Sequence, residues 1–171
     1  NLKYIASGFD ENVLNIKENT ILRGLFQSEK YFFGDIKKIN RYISLKKNKL
    51  NYTKQKDTCI LNIRGGEYKR HRQFILPKSY WLNGINNFKK RFSINNFKIV
   101  TDDYRYARAL FPDLEIIHGS IEECYTTIYS CSNIIVSNST FSYFPCKTGL
   151  KKNVIAPMYW ARPKNKDSKW I

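Results

Sequence analysis

From Thr58 to Pro157 the chain alternates short apolar runs with stretches of helical periodicity, and this alternation restricts the possible folds more than any other feature. Thr58 to Ile63 reads as a buried strand. Pro77 then opens a helix whose apolar positions, Trp81, Ile85, Phe88 and Phe92, recur as an i, i+4, i+7, i+11 stripe. Phe97 to Val100 is a second strand. Asp103 can cap a helix running through Tyr104, Ala107, Leu110 and Phe111 until Pro112 stops it. Leu114 to Ile117 is a third strand, and Ser120-Ile-Glu-Glu123 has the form of a capping box, opening a helix with Ile121, Cys124, Tyr125 and Ile128 inward. Ile134 to Val136 is a fourth strand, followed by an aromatic helix start at Phe141 to Phe144. Val154 to Ala156 is a fifth. Strands separated by helices imply right-handed crossovers and a parallel sheet, so the expected class is α/β with a Rossmann-like parallel sheet.

Open α/β sheets bind ligands just beyond the carboxyl ends of their strands, and three of these ends carry polar groups. The first strand runs into Arg64-Gly-Gly-Glu67 after Asn62. A guanidinium there offers a fork suited to a diphosphate, and Gly65 and Gly66 let a ligand approach the backbone. The second strand ends in Asp102 and Asp103, carboxylates able to accept from ribose hydroxyls or the amino edge of a guanine. The fourth ends in Ser137-Asn-Ser-Thr140 ahead of a helix, where amides and hydroxyls form a phosphate cradle. Each group has a plainer reading: Arg64 as ion-pair partner of Glu67, Asp102 and Asp103 as helix caps, and residues 137 to 140 as a capping cluster. Parallel strands gather all three turns along one edge, which favours a nucleoside diphosphate.

Residues 1 to 54 are less regular. Asn12 to Ile16 and Thr20 to Phe26 are short apolar stretches, and Asp35, Ile36, Ile39, Tyr42, Ile43 and Leu45 have the spacing of an amphipathic helix. The polar run from Lys46 to Asp57 reads as a linker, which divides the chain into residues 1–54 and 55–171. The chain starts at Asn1 without an initiator Met, so a segment of something longer is expected.

A net charge of +16 admits a polyanionic partner. Lys outnumbers Arg 21 to 9, however, the basic residues are scattered, and Lys, Asn, Ile and Tyr are the residues of AT-rich codons. No nucleic-acid recognition motif accompanies the charge, so no nucleic-acid partner is expected; peripheral contact with an anionic membrane remains open. Cys59, Cys124, Cys131 and Cys146 form no CxxC pair and read as small buried hydrophobes of a reducing compartment, Cys124 and Cys131 on one helical face. His71 and His118 read as structural or surface residues. There is no GxGxxG and no Walker pattern, and adjacent carboxylates on a capping turn make a poor Mg²⁺ site, so no metal is expected. Asn51-Tyr-Thr53 and Asn138-Ser-Thr140 match glycosylation sequons by coincidence.

Five segments, in order, resemble bacterial α-1,2-fucosyltransferases of glycosyltransferase family 11. Gly24-Leu-Phe-Gln-Ser-Glu-Lys-Tyr-Phe32 resembles that family's GYFQSEKYF segment, and Asn62-Ile-Arg-Gly-Gly-Glu-Tyr68 its HxRRGDY motif. Val100-Thr-Asp-Asp103 resembles FSDD, residues 133 to 142 resemble NIISNSTFSWW, and Val154 to Trp160 resembles VIAPKYW. The resemblance implies a two-domain, GT-B-like enzyme that transfers fucose from GDP-fucose to a glycan or lipid-linked acceptor with inversion, without a metal. Such an enzyme would work in bacterial surface-polysaccharide synthesis, in the cytoplasm or on the cytoplasmic face of the inner membrane. It makes residues 55–171 the donor domain and residues 1–54 the end of the acceptor-side domain. It puts Arg64 on the donor's β-phosphate as leaving-group stabiliser, Ser137, Asn138, Ser139 and Thr140 around the phosphates, and Asp102 or Asp103 on the guanosine. Departures from the motif are Asn62 for His, Gly65 for the second Arg, and Glu67 for Asp. Glu67 is a candidate acid/base or orienting group.

Overall fold

The structure, a computed structural model, describes residues 2–5, 8–24, 26–31, 36–43, 45, 56–149 and 153–159. Its main body is a five-stranded, all-parallel sheet in the order β5-β4-β3-β6-β7, formed by β3 (Thr58–Ile63), β4 (Asn96–Thr101), β5 (Glu115–Ile117), β6 (Asn133–Val136) and β7 (Asn153–Ile155). All five predicted strands are present, with ends moved by a residue or so. β3 is central and buried along its whole length, which is why it reads as a continuous apolar run rather than an alternating one.

The helices α2 (Lys78–Phe92), α3 (Tyr104–Leu110), α4 (Ile121–Ser130) and α5 (Thr140–Thr148) make the crossovers. Because strand side chains alternate between faces, β3 serves two cores at once. Cys59, Leu61 and Ile63 pack with Trp81, Ile85 and Phe88 of α2 and Ala107 of α3. Ile60 packs with Cys124 and Ile128 of α4 and Cys146 of α5. The sheet is thus doubly wound: the chain moves outward from β3 through β4 to β5, then returns to the other side of β3 for β6 and β7. The order reverses at β3 and β6, the switch point where such sheets open a crevice.

Local signals hold up where they concern backbone amides. Asp103 caps α3 by accepting from Tyr106 N–H at 3.0 Å. Ser120 and Glu123 form the full capping box, with Ser120 N–H donating to Glu123 at 2.7 Å. Signals that concern burial fail at element ends. Ile121, expected inward, is 80% exposed because it is the first residue of α4, beyond the sheet. Phe92, expected in the α2 stripe, is exposed in the last turn, while Gly84 lies against the sheet: a Cβ there would meet Ile135 Cδ1 at 2.7 Å. All four cysteines are buried and none is in a disulfide, although Cys131 caps the end of α4 rather than lying within it.

Before the sheet, β1 (Leu2–Ile5) pairs in parallel with β2 (Ile21–Gly24), residues 11–15 form a 3-10 turn, and α1 covers Ile36–Tyr42. At the end of α1 the expected burial is not there: Tyr42 is 87% exposed and Ile43, just past the helix, is also exposed, while Ile39 is half-buried. Asp35, the linker between 46 and 55, and the Asn51 sequon lie outside the described residues. The short turn of Glu29–Tyr31 instead makes the firm attachment. Glu29 is buried, accepts from the Tyr143 hydroxyl of α5 at 2.6 Å, and lies 3.0 Å from Lys147 Nζ. Burial, and then the adjacent carboxylate, push the Tyr143 phenol up, so it stays a donor. No helix among the described residues is long and apolar enough to cross a membrane.

Candidate functional site

A cleft of about 330 Å³ lies at the carboxyl edge of the sheet, on the α4/α5 side. Its floor is the end of β3 (Asn62, Ile63, Arg64) and of β4 (Val100, Thr101, Asp102). His118 and Gly119 form one side, and the first turns of α4 (Ile121, Cys124) and α5 (Phe141) form the rest. Two helix N-termini therefore flank one cleft, and each brings partial positive charge to it. The lining is mostly apolar with a few polar groups, Asn62, Arg64, Asp102 and His118 among them, the usual make-up of a small-molecule site.

Arg64 is positioned by the end of β3 and by three neighbours. Its Nη1 lies 3.1 Å from Asp102 Oδ2, its Nη2 lies 3.4 Å from Glu67 Oε1, and its guanidinium lies 5.5 Å from the Tyr68 ring centre. The ion-pair reading of Arg64 is thus seen, with Asp102 rather than Glu67 the nearer carboxylate. Its Nε is buried without a hydrogen-bond partner, an unmet donor of the kind that asks for an explanation. Asp102 Oδ1 also accepts from Gly65 N–H at 2.9 Å, so one carboxylate ties the turn after β3 to the turn after β4.

Space rather than backbone angle favours glycine at both positions, most firmly at Gly65. A Cβ at Gly65 would stand 2.7 Å from Tyr106 Cδ1 and 2.8 Å from Asp103 Cβ, and one at Gly66 would collide with Asp102 Oδ2. The place where the resemblance puts a second arginine is filled here by α3.

The other expected residues divide. Asn62 is buried, donates to Val100 O at 3.4 Å and accepts from Ser137 Oγ at 3.1 Å, so it reaches the cleft floor while bridging β4 and the β6 turn. Asp103 does not line the cleft: it caps α3 and forms an ion pair with Lys69. Ser137, Asn138 and Ser139 are buried beside the cleft rather than in its lining, and Thr140 is exposed. Ser139 caps α5 by accepting from Phe141 N–H, and Tyr68 donates to Asn138 O at 3.0 Å. Asn138 Oδ1 is a second buried atom without a partner, and its burial keeps the sequon from a glycosylating enzyme in the folded chain. Glu67 is exposed and reaches only the rim, against Arg64.

Asp103 carries a pH prediction. Burial alone would raise its carboxyl, but the hydrogen bonds from Lys69 and Tyr106 N–H and the nearby positive charges outweigh that and hold it below the ordinary range. A carboxyl with a depressed folded value contributes stability above its unfolded value of about 3.9 and loses it as pH falls through the folded value. Urea midpoints measured from pH 6 down to 3 should therefore fall more steeply for the native chain than for Asp103→Asn, which keeps a good N-cap but cannot pair with Lys69. Parallel curves would refute the assignment.

Sequence reasoning missed His118, Gly119 and Phe141 as cleft residues. His118 is placed by register: β5 pairs Ile117 with Val100, so the next residue falls beside Thr101, and His118 Nδ1 lies 3.3 Å from Thr101 O. Only the position one residue past a strand end could have signalled it. Scans against protein-family models, curated proteins and solved structures return no match to this chain.

Proposed function

We propose that the chain carries the donor-binding unit of a glycosyltransferase, holding a nucleoside diphosphate sugar, GDP-fucose by the resemblance of its motifs, in the cleft after β3 and β4. The observation that carries this reading is Arg64: a cation at the carboxyl end of the central strand, at the switch point, with a buried Nε still lacking a partner beside two helix N-termini.

In the proposed reaction an acceptor hydroxyl oxygen attacks the anomeric carbon of the donor sugar as the bond from that carbon to the β-phosphate oxygen breaks. The electron pair leaves with the diphosphate, and the hydroxyl proton passes to a base on the acceptor side. The floor of the cleft serves the leaving group. Arg64 meets the growing negative charge, which is the main electrostatic task of such a step. Asp102 and Glu67 orient the guanidinium, and Glu67, exposed beside Arg64, is the candidate acid/base or orienting group. The acceptor is a glycan, free or lipid-linked, and the +16 charge suits approach to an anionic membrane surface.

A second reading, a nucleotide-binding unit without transfer activity, is favoured by Asn62 and Gly65, which stand where the motif has an imidazole and a second cation. Calorimetric titration with GDP, GDP-fucose, UDP and a short DNA duplex tests both. The expected result is binding of the guanine nucleotides with UDP weaker. Salt-sensitive DNA binding without a GDP signal would overturn the donor-site reading. Turnover of GDP-fucose with a glycan acceptor decides between transferase and inert binder.

A further inference from the structure

The cleft contains an imidazole that no motif points to. His118 lines it together with Arg64, one residue beyond β5. Its Nδ1 faces a main-chain carbonyl, Thr101 O at 3.3 Å. A carbonyl only accepts, so the neutral ring carries its proton on Nδ1 and leaves a lone pair on Nε2. The Tyr104 ring flanks the imidazole at 6.1 Å between centres, tilted by 55°, and Tyr104 is itself held by Arg108 at 3.2 Å. The ring is therefore braced on two sides.

We propose that His118 is a nucleoside-contacting residue of the cleft: its Nε2 accepts a hydrogen bond from a sugar hydroxyl or a base N–H of the bound nucleotide, while Arg64 takes the phosphates. This inference rests on the donor-site reading above and assigns its second pole. The cleft lining holds a cation, Arg64, and an acceptor, His118, with the apolar side chains of Val100, Ile121, Cys124 and Phe141 available to a planar base. It also explains how a chain with Asn62 at the motif's histidine position still presents an imidazole to the nucleotide, from the end of β5, two strands away from β3.

The test uses the geometry of amide side chains. Asparagine places its amide near the Nδ1 position, and glutamine places its own near Nε2. Titrated with GDP, His118→Ala and His118→Asn should each bind about fivefold to tenfold more weakly, the value of one net hydrogen bond, whereas His118→Gln should stay within about twofold to threefold of the native chain. Inorganic pyrophosphate should bind all four proteins equally. A loss for 2′-deoxy-GDP that is present in the native chain and absent in His118→Ala assigns the contact to the ribose, and the same pattern for inosine diphosphate assigns it to the base amino edge. An equal loss of pyrophosphate and GDP affinity in His118→Ala, or GDP affinity unchanged in it, overturns the inference while leaving the donor site standing. Failure of the native chain to bind GDP at all overturns the donor site and this inference with it.

Discussion

Arg64→Ala is expected to weaken GDP binding by about 10- to 150-fold and to leave nucleoside binding without phosphate nearly unchanged. Hydrogen bonds to charged groups contribute roughly 1.5–3 kcal/mol each, and each 1.4 kcal/mol is about tenfold in affinity. The lower part of that range is favoured by an opposing effect: Arg64 already lies 3.1 Å from Asp102 and 3.4 Å from Glu67, and a phosphate competes with both. The folded state should suffer little. The Arg64 and Asp102 side chains are both about a quarter exposed (28% and 27%), and partly solvated ion pairs contribute on the order of 1 kcal/mol or less. Arg64→Lys separates charge from shape. It keeps the cation but loses the planar fork, so it should recover only part of the affinity. Calorimetry with GDP, pyrophosphate and guanosine measures all three points, and full recovery by lysine would show that only a point charge is needed.

Gly65→Arg, which restores the motif's second arginine, is expected to lower both stability and GDP binding rather than strengthen the phosphate clamp. The added Cβ would meet Tyr106 Cδ1 at 2.7 Å and Asp103 Cβ at 2.8 Å. The tyrosine ring can turn aside, but a β-carbon moves only with its backbone, and Asp103 is fixed as the α3 cap. Overpacking of this kind costs about 1–3 kcal/mol. Displacing the turn would also strain the bond from Gly65 N–H to Asp102 at 2.9 Å, and with it the carboxylate that orients Arg64. For a domain of this size each 1 kcal/mol lowers the thermal midpoint by roughly 2–4 °C, so a fall of several degrees accompanied by weaker GDP binding is expected. A variant with native stability and tighter GDP binding would show that the turn has room the structure does not give it.

Much of this molecule is legible in the sequence because its strongest signals are local. The capping box at Ser120 and Glu123, the Asp103 cap and the β3 run depend on neighbours within one turn or one strand, and they appear where the pattern places them. The misses are cases where a distant element decides. Ile121 has the spacing of a core residue, but α4 starts beyond the sheet and leaves it at the mouth of the cleft. Tyr42 and Ile43 have helical spacing but lie exposed at and just past the end of α1. Ser137, Asn138 and Ser139 look like an open cradle in sequence, yet packing of α5 buries them.

The sequence by itself determined that a parallel α/β sheet would form and that Arg64, Asp102 and the β6 turn would share its carboxyl edge, because strand polarity and the 2 and 3.6 periodicities are properties of the chain. Tertiary structure alone decided how those groups are used. Asp102 faces Arg64 and Gly65 N–H while its neighbour Asp103 turns to α3 and Lys69, and pairing of β5 with β4 carries His118 into the cleft. Adjacent carboxylates are equivalent in sequence; the side of a turn on which each points is set only when the strands pack and each charge finds its nearest partner.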